Sequence, residues 1–125
     1  MTTWSDLSLL HLTKTTIKLQ RHKHIEQEYN NLIKNNKVDI TYIKDYLLYN
    51  NWCLIDNKYP YIIPNNTIHM VFWFKTNYTM EEALNIIYTI YSNNNYDIII
   101  FENDISVKSV KEIKHYHVFI KHKKF

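Results

Sequence analysis

Three histidines stand where strands can bring them together, and histidine is the residue best suited to acid–base or metal chemistry near neutral pH. His115 and His117 are two residues apart and so share one face of a predicted strand, while His69 lies in another predicted strand. This spacing permits a metal site of three imidazoles, although no acidic fourth ligand is obvious. Paired histidines could also serve as acid and base in a phosphoesterase, but the second His-x-Ser or His-x-Thr element is missing. A histidine-bearing surface or a structural hydrogen bond is the plainer interpretation of all three.

Glycine is absent from all 125 residues, and this absence excludes several classes of enzyme. Phosphate-binding loops, dinucleotide fingerprints and the nucleophile turn of hydrolases need glycine where the backbone meets its ligand. Asparagine occupies the predicted turns instead, because it tolerates the left-handed conformation better than other residues do. The only cysteine, Cys53, has apolar neighbours that raise a thiol pKa, so it is not proposed as a nucleophile. We expect no catalysis and no cofactor.

The chain has the features of a cytoplasmic protein. A single cysteine suits a reducing compartment, the first residues lack the pattern of a signal peptide, and no apolar run is long enough to span a membrane. From Lys108 onward the sequence has six lysines and one acid, Glu112. This excess is about as consistent with a solvated tail as with binding of a polyanion.

Apolar residues at helical spacing dominate residues 1–50. Ser5 is expected to cap a first helix that reaches Leu19 across a weak run of threonines. A second helix is predicted over 21–34, and Asp39 is expected to cap a third. The first fifty residues are therefore predicted to be helical.

The remaining residues predict a loop followed by a sheet. Residues 51–66 hold both prolines and are interpreted as an extended proline and tyrosine loop. In 67–125, alternation and a Thr79–Glu82 capping box predict strands over 67–75, 97–102 and 115–120 and a helix over 79–91. The first of these strands is apolar on both faces and should be central. We predict one α+β domain over 1–125, with N-terminal helices beside a small, mostly antiparallel sheet that the 79–91 helix covers.

The order of several short motifs resembles the fungal N-acetylglucosamine-induced protein family, whose members have no established biochemical activity. The resemblance spans nearly the whole chain. It rests on Trp4, Leu19 with Arg21, Tyr29, Tyr46-Leu-Leu48, Trp52, Tyr59-Pro-Tyr61, His69 with Trp73, Phe101-Glu-Asn103 and His115-Tyr-His-Val-Phe119. The chain departs from the family after Asn103, where Asp104-Ile-Ser-Val107 replaces the usual prolines.

The second half is also similar to the cap-binding translation initiation factor 4E. The matching elements are Phe72-Trp-Phe-Lys75, Thr79-Met-Glu-Glu-Ala-Leu84 and Asp97-Ile-Ile-Ile-Phe101. This resemblance implies a 4E-like fold, and it implies that Met80 and Leu84 could receive the helix of a scaffold protein. The Trp-Glu pair that contacts the methylated base in that factor is replaced by Ser109-Val110, so the usual tryptophan sandwich is not expected.

Cap recognition requires two aromatic planes, a carboxylate and cations for the phosphates, and the chain has candidates for each. The predicted ligand-binding residues are Trp52, Tyr59, Tyr61, Glu102, Glu112, Lys108, Lys111, Lys114 and Lys121. The favoured hypothesis is a non-enzymatic module that binds a nucleotide or an RNA 5′ end in translation initiation. The alternatives are a small-molecule protein related to amino sugars and a plain protein-interaction domain.

Overall fold

Apolar runs with strand or helix periodicity form the elements of the computed structural model, which describes residues 2–15, 19–34, 40–58, 61–103 and 113–123. Within these residues the chain is a mixed α+β domain, as predicted. Its helices are α1 (Trp4–Ser8), α2 (Lys23–Lys34), α3 (Thr41–Leu47) and α4 (Met80–Ile90). Its strands are β1 (Lys14–Thr15), β2 (Trp52–Asp56), β3 (Thr67–Phe74), β4 (Tyr96–Asn103) and β5 (Lys114–His122). None of these described helices has the length and apolarity needed to cross a bilayer.

The sheet has the strand order β1-β4-β5-β3-β2. The four longer strands pair antiparallel, and the two-residue β1 pairs parallel with β4. β3 lies between β2 and β5, which confirms its prediction as a central strand. Consequently β2 forms one edge of the sheet, and the short β1 covers the opposite edge of β4.

Both faces of the sheet are buried. On β3, Met70, Phe72 and Phe74 point to one face and contribute to a core that includes Ile87 of α4, so we name it the α4 face. Val71 and Trp73 point to the other face, where they pack with α3, and we name it the α3 face. The alternation predicted for β3 is therefore confirmed. Further along the α3 face, the N-terminal segment packs on β4 and β5.

The cap predicted for α4 is present in full. The Thr79 hydroxyl accepts a hydrogen bond from the Glu82 backbone N–H at 3.1 Å, and the Glu82 carboxylate accepts one from the Thr79 N–H at 2.9 Å. Both side chains thus satisfy donors that a helix start would otherwise leave without partners. Because these contacts join residues only three positions apart, the start of the helix could be predicted from the sequence.

The prediction of a first helix that reaches Leu19 is wrong. α1 has five residues, and its cap is Thr3 with Asp6 rather than Ser5. The chain then turns at Leu12, whose φ of 59° is left-handed, and the Leu12 N–H donates to the Ile100 carbonyl at 2.7 Å. The β-branched threonines that follow favour extended backbone, so this segment adds to the edge of β4 instead of continuing the helix.

The loop predicted over 51–66 is wrong at its start, because Trp52–Asp56 is strand β2. Trp52 and Leu54 pack on the α4-face core and Cys53 on the α3-face core, so the strand buries apolar side chains on both faces. The expected cap Asp39 lies outside the described residues. α3 begins after Ile40, which provides no side-chain hydrogen bond.

Candidate functional site

A buried polar network lies on the α3 face of the sheet, and it contains two of the predicted histidines. His69 Nε2 is 2.9 Å from His117 Nδ1, and the Asn103 side-chain amide is 3.1 Å from both His117 Nε2 and the Tyr61 hydroxyl. The Tyr61 backbone N–H donates to His69 Nδ1 at 3.3 Å. Strands β3, β4 and β5 bring His69, Asn103 and His117 together, Tyr61 joins them from the segment before β3, and each of the four is 4–7% exposed. We refer to His69, His117, Asn103 and Tyr61 as the histidine network.

The backbone donor fixes the positions of the protons in this network. Because the Tyr61 N–H can only donate, His69 Nδ1 is the acceptor and the proton of the neutral ring is on Nε2. His69 then donates to His117 Nδ1, which leaves the His117 proton on Nε2. Since His117 Nε2–H must then donate, we assign the Asn103 side-chain oxygen as its acceptor, with the amide turned so that the Tyr61 hydroxyl donates to the same oxygen. The Asn57 side-chain amide also lies near His69 Nε2, at 3.3 Å. In this arrangement both imidazoles are neutral.

Arg21 attaches the start of α2 to this network. Its guanidinium stacks on Tyr61 at 4.6 Å from the ring centroid and on Tyr29 of α2 at 4.2 Å. The Glu26 carboxylate lies 3.5 Å from it. Burial, together with the nearby charge of Arg21, lowers the pKa of His69 to about 3. His69 therefore remains neutral over the physiological pH range.

These contacts favour a structural role for the histidines over a metal site. His69 and His117 use their ring nitrogens on each other and on their neighbours. His115 stacks on Trp73 with ring centroids 4.5 Å apart, and its Nδ1 is 2.9 Å from the Ile113 carbonyl oxygen. Among the described residues, no group of three or more His, Cys, Asp or Glu is arranged to hold a metal ion. The three histidines share a face but do not converge on one point.

An open cleft of about 310 Å³ lies at β2. Residues 52–55 of β2 line it, so residues that alternate between both faces of this strand contribute, and β2 is the last strand of the described sheet. The remaining lining residues come from α3, β3 and the end of α4: Tyr42, Ile43, Tyr46, Met70, Ile90 and Tyr91. We name this the edge cleft. Its lining is mostly apolar and aromatic, as is usual for binding sites.

Several lining side chains of the edge cleft are accessible. Tyr42 is 45% exposed, Tyr46 is 50% exposed and Ile90 is 52% exposed. Trp52 is half-buried and stacks on Phe72, with ring centroids 5.4 Å apart and planes 17° from parallel. Phe72 supports the indole from the core side. The Lys58 ammonium lies 5.5 Å from the centroid of the Tyr42 ring, which adds a cation at the rim.

The structure does not bring the predicted ligand-binding residues together. Tyr59, Lys108, Lys111 and Glu112 lie outside the described residues. Trp52 lines the edge cleft, but Glu102 is on β4 beside Lys14, three strand spacings away across the sheet. That separation is roughly 14 Å, so one base cannot contact both side chains.

The other described candidates for ligand or partner binding make contacts within the fold instead. Tyr61 belongs to the buried histidine network. Lys114 donates to the Asn77 side-chain oxygen, and the Lys121 ammonium lies 5.4 Å from the Trp4 ring. Met80 and Leu84, the predicted partner-binding pair, are half-buried and pack on the α4-face core. Of the described ligand-binding candidates, Trp52 alone lines the cleft.

Sequence reasoning missed the residues that complete both sites. Tyr42 and Tyr46 are four residues apart, and this spacing puts them on one face of a helix, so their pairing was visible in the sequence. Arg21 and Asn103 belong to motifs that carry the family resemblance, but nothing in the sequence marked them as site residues. Their partners Tyr61 and His117 are 40 and 14 positions away in the sequence, and only the fold brings them into contact.

No protein-family model and no curated protein matches this chain. The crystal structure of HTC1 is similar, with a TM-score of 0.55 and 16% sequence identity. The match covers 82% of this chain and 76% of that chain. At this level of identity the likeness shows a shared fold and nothing about activity.

Proposed function

We propose that the chain is a non-enzymatic protein-interaction module and that the edge cleft is its binding surface. The observation that carries this proposal is a row of accessible aromatic side chains, Tyr42, Tyr46 and Trp52, beside the free edge of β2. Tyrosine and tryptophan are enriched at protein interfaces because they supply large contact areas at low cost in side-chain entropy. The titratable groups of the histidine network are buried elsewhere, which supports binding over catalysis. We also propose a cytoplasmic location, in keeping with a single buried cysteine.

Replacing Tyr46 by Ala is expected to weaken binding at the edge cleft by about tenfold or more, because the ring is a lining side chain with half its surface available. The probe is a synthetic peptide from the most enriched clone of a random twelve-residue library displayed on phage and selected on the intact protein. Affinity is measured by isothermal titration calorimetry.

The matched control is Tyr49→Ala, because Tyr49 is 88% exposed just beyond α3 and does not line the cleft. This variant should bind the peptide as the unmodified protein does. Equal losses in the two variants, or no loss in either, would remove the edge cleft as the binding surface.

A nucleotide or RNA 5′ end is a second candidate ligand for the same cleft. The specific observation is Trp52, which is stacked on Phe72 and lines the cleft, so a base could stack on its accessible side. Lys58 at the rim could meet a phosphate. The resemblance to initiation factor 4E implies the same class of ligand. The acid and the second aromatic residue at this cleft would not be the ones predicted from the sequence.

A fluorescence titration tests this second candidate, because stacking on an indole quenches its emission. A methylated guanine cap analogue and GTP should each quench the unmodified protein but not Trp52→Phe, and added salt should weaken their binding by screening phosphate contacts. Quenching by N-acetylglucosamine alone would favour the amino-sugar alternative. Silence with all three compounds would end the nucleotide hypothesis.

A further inference from the structure

The free edge of β2 offers a regular row of backbone hydrogen-bonding groups. The Asn57 N–H donates to the His69 carbonyl, and the Lys75 N–H donates to the Asn51 carbonyl. In an antiparallel pair, residues alternate between those that bond to the neighbouring strand and those that point away from it. Because Asn51 and Asn57 bond to β3, residues 53 and 55 also face β3, and the N–H and C=O groups of Trp52, Leu54 and Asp56 point outward.

No described residue pairs with this outward row. β2 is the last strand in the strand order, and its backbone pairs with β3. The edge cleft follows the same strand, with Tyr42 and Tyr46 of α3 at one side and Ile90 and Tyr91 at the end of α4 at the other. The floor of the cleft is thus a row of donors and acceptors between two largely apolar walls.

This floor selects the conformation of the partner. A helix has already used its own backbone groups and could not pair with the row, whereas an extended peptide has both N–H and C=O available on one edge. Its alternate side chains would point to the two faces of the sheet, where the α3 and α4 walls stand. The length of β2, five residues, limits the paired segment to about the same number.

The charge of the edge argues against a second copy of this chain. A twofold antiparallel pairing centred on Leu54 would place the Asp56 of each copy opposite the Trp52 of the other. Both carboxylates would then lie against indole rings with no cation supplied by the pairing strand. A separate peptide can instead present a lysine or arginine opposite Asp56, which is exposed, and apolar side chains opposite Trp52 and Leu54.

We infer that the edge cleft takes an extended peptide segment that adds to β2 as a further strand. Its backbone pairs with the outward groups of Trp52, Leu54 and Asp56, and it carries apolar residues at alternate positions with a basic residue opposite Asp56. This inference rests on the proposed function and specifies the partner of that same cleft.

The test compares Asp56→Pro with Asp56→Ala, using the phage-selected synthetic peptide described above. Proline removes the outward N–H of residue 56 but no hydrogen bond to β3, and such positions tolerate proline. Asp56→Pro should weaken binding by roughly tenfold or more, whereas Asp56→Ala should weaken it by only about two- to threefold, the loss of an exposed ion pair. Equal affinities of the two variants would overturn strand addition.

Amide hydrogen exchange followed by NMR on the unmodified full chain provides a measurement that does not depend on a variant. In the free protein the amides of 52, 54 and 56 should exchange faster than those of 53 and 55, and the peptide should slow the first set at least tenfold. Binding that still depends on Tyr46 but leaves those three amides unprotected would overturn strand addition while the proposed function stands. Binding indifferent to Tyr46→Ala would defeat the proposed function itself. Protection without peptide, accompanied by a dimer in analytical ultracentrifugation, would assign the edge to a second copy and overturn the inference.

Discussion

Replacing Phe72 by Ala is expected to lower the free energy of unfolding by about 3–5 kcal/mol. Phe72 has no exposed surface and lies on the central strand β3, where its ring contacts the rings of Trp52, Phe74 and Tyr78 at centroid distances of 5.4–5.9 Å. Removing the ring leaves a cavity in the α4-face core and withdraws the support beneath Trp52. Urea denaturation monitored by circular dichroism measures the loss.

The control for Phe72→Ala is again Tyr49→Ala, which removes an aromatic ring that is 88% exposed. It should change the free energy of unfolding by less than about 0.5 kcal/mol. A loss of under about 1 kcal/mol for Phe72→Ala would contradict a tightly packed α4-face core. Any remaining folded Phe72→Ala protein should also bind the selected peptide more weakly, since Trp52 lines the edge cleft.

Acid should destabilise the protein by about 2 kcal/mol between pH 7 and pH 5 through His69 alone. The folded-state pKa of His69 is about 3 and its ordinary value is 6.5. Well above pH 6.5 the ring is neutral in both states, so this group removes no stability. Between pH 6.5 and about 3 only the unfolded state takes up the proton, so the free energy of unfolding falls by about 1.4 kcal/mol per pH unit.

Urea denaturation at a series of pH values measures this effect, and a His69→Gln variant isolates it. The variant loses hydrogen bonds of the histidine network and should be less stable at pH 7. Below pH 6.5, however, its free energy of unfolding should fall less steeply with decreasing pH, by about 1.4 kcal/mol per pH unit, the contribution of one proton. His24→Gln is the control, because His24 is exposed at the start of α2. If the pH dependence of His69→Gln matched that of the unmodified protein, acid destabilisation would have to come from other groups.

The second half of the fold was predictable because its signals are local. The Thr79 and Glu82 side chains cap α4 within one turn, and the alternation along β3 sorts Phe72 and Trp73 to opposite faces. Such patterns depend on neighbours a few residues away, which the sequence displays directly. Asn66 likewise adopts a left-handed φ of 66° in a turn expected to use asparagine.

The first half was less predictable because its elements depend on distant partners. Lys14 and Thr15 form β1 beside β4, where Lys14 lies opposite Glu102, a partner 88 positions away in the sequence. Trp52–Asp56 is too short to distinguish a strand from an extended loop without knowledge of β3 beside it. In both cases tertiary pairing overrode a weak local preference.

The sequence by itself determined the α+β class, the central β3 strand and the capped α4 helix. It also showed that these 125 residues hold no glycine with which to build a phosphate-binding loop, a dinucleotide fingerprint or a nucleophile turn. Only the tertiary structure decided which side chains meet. It buried His69 and His117 as a neutral pair, separated Trp52 from Glu102 across the sheet, and assembled Tyr42, Tyr46 and Trp52 along the edge of β2. The physical reason is that a binding site is set by strand order and by which edge remains unpaired, and these depend on contacts between residues far apart in the chain.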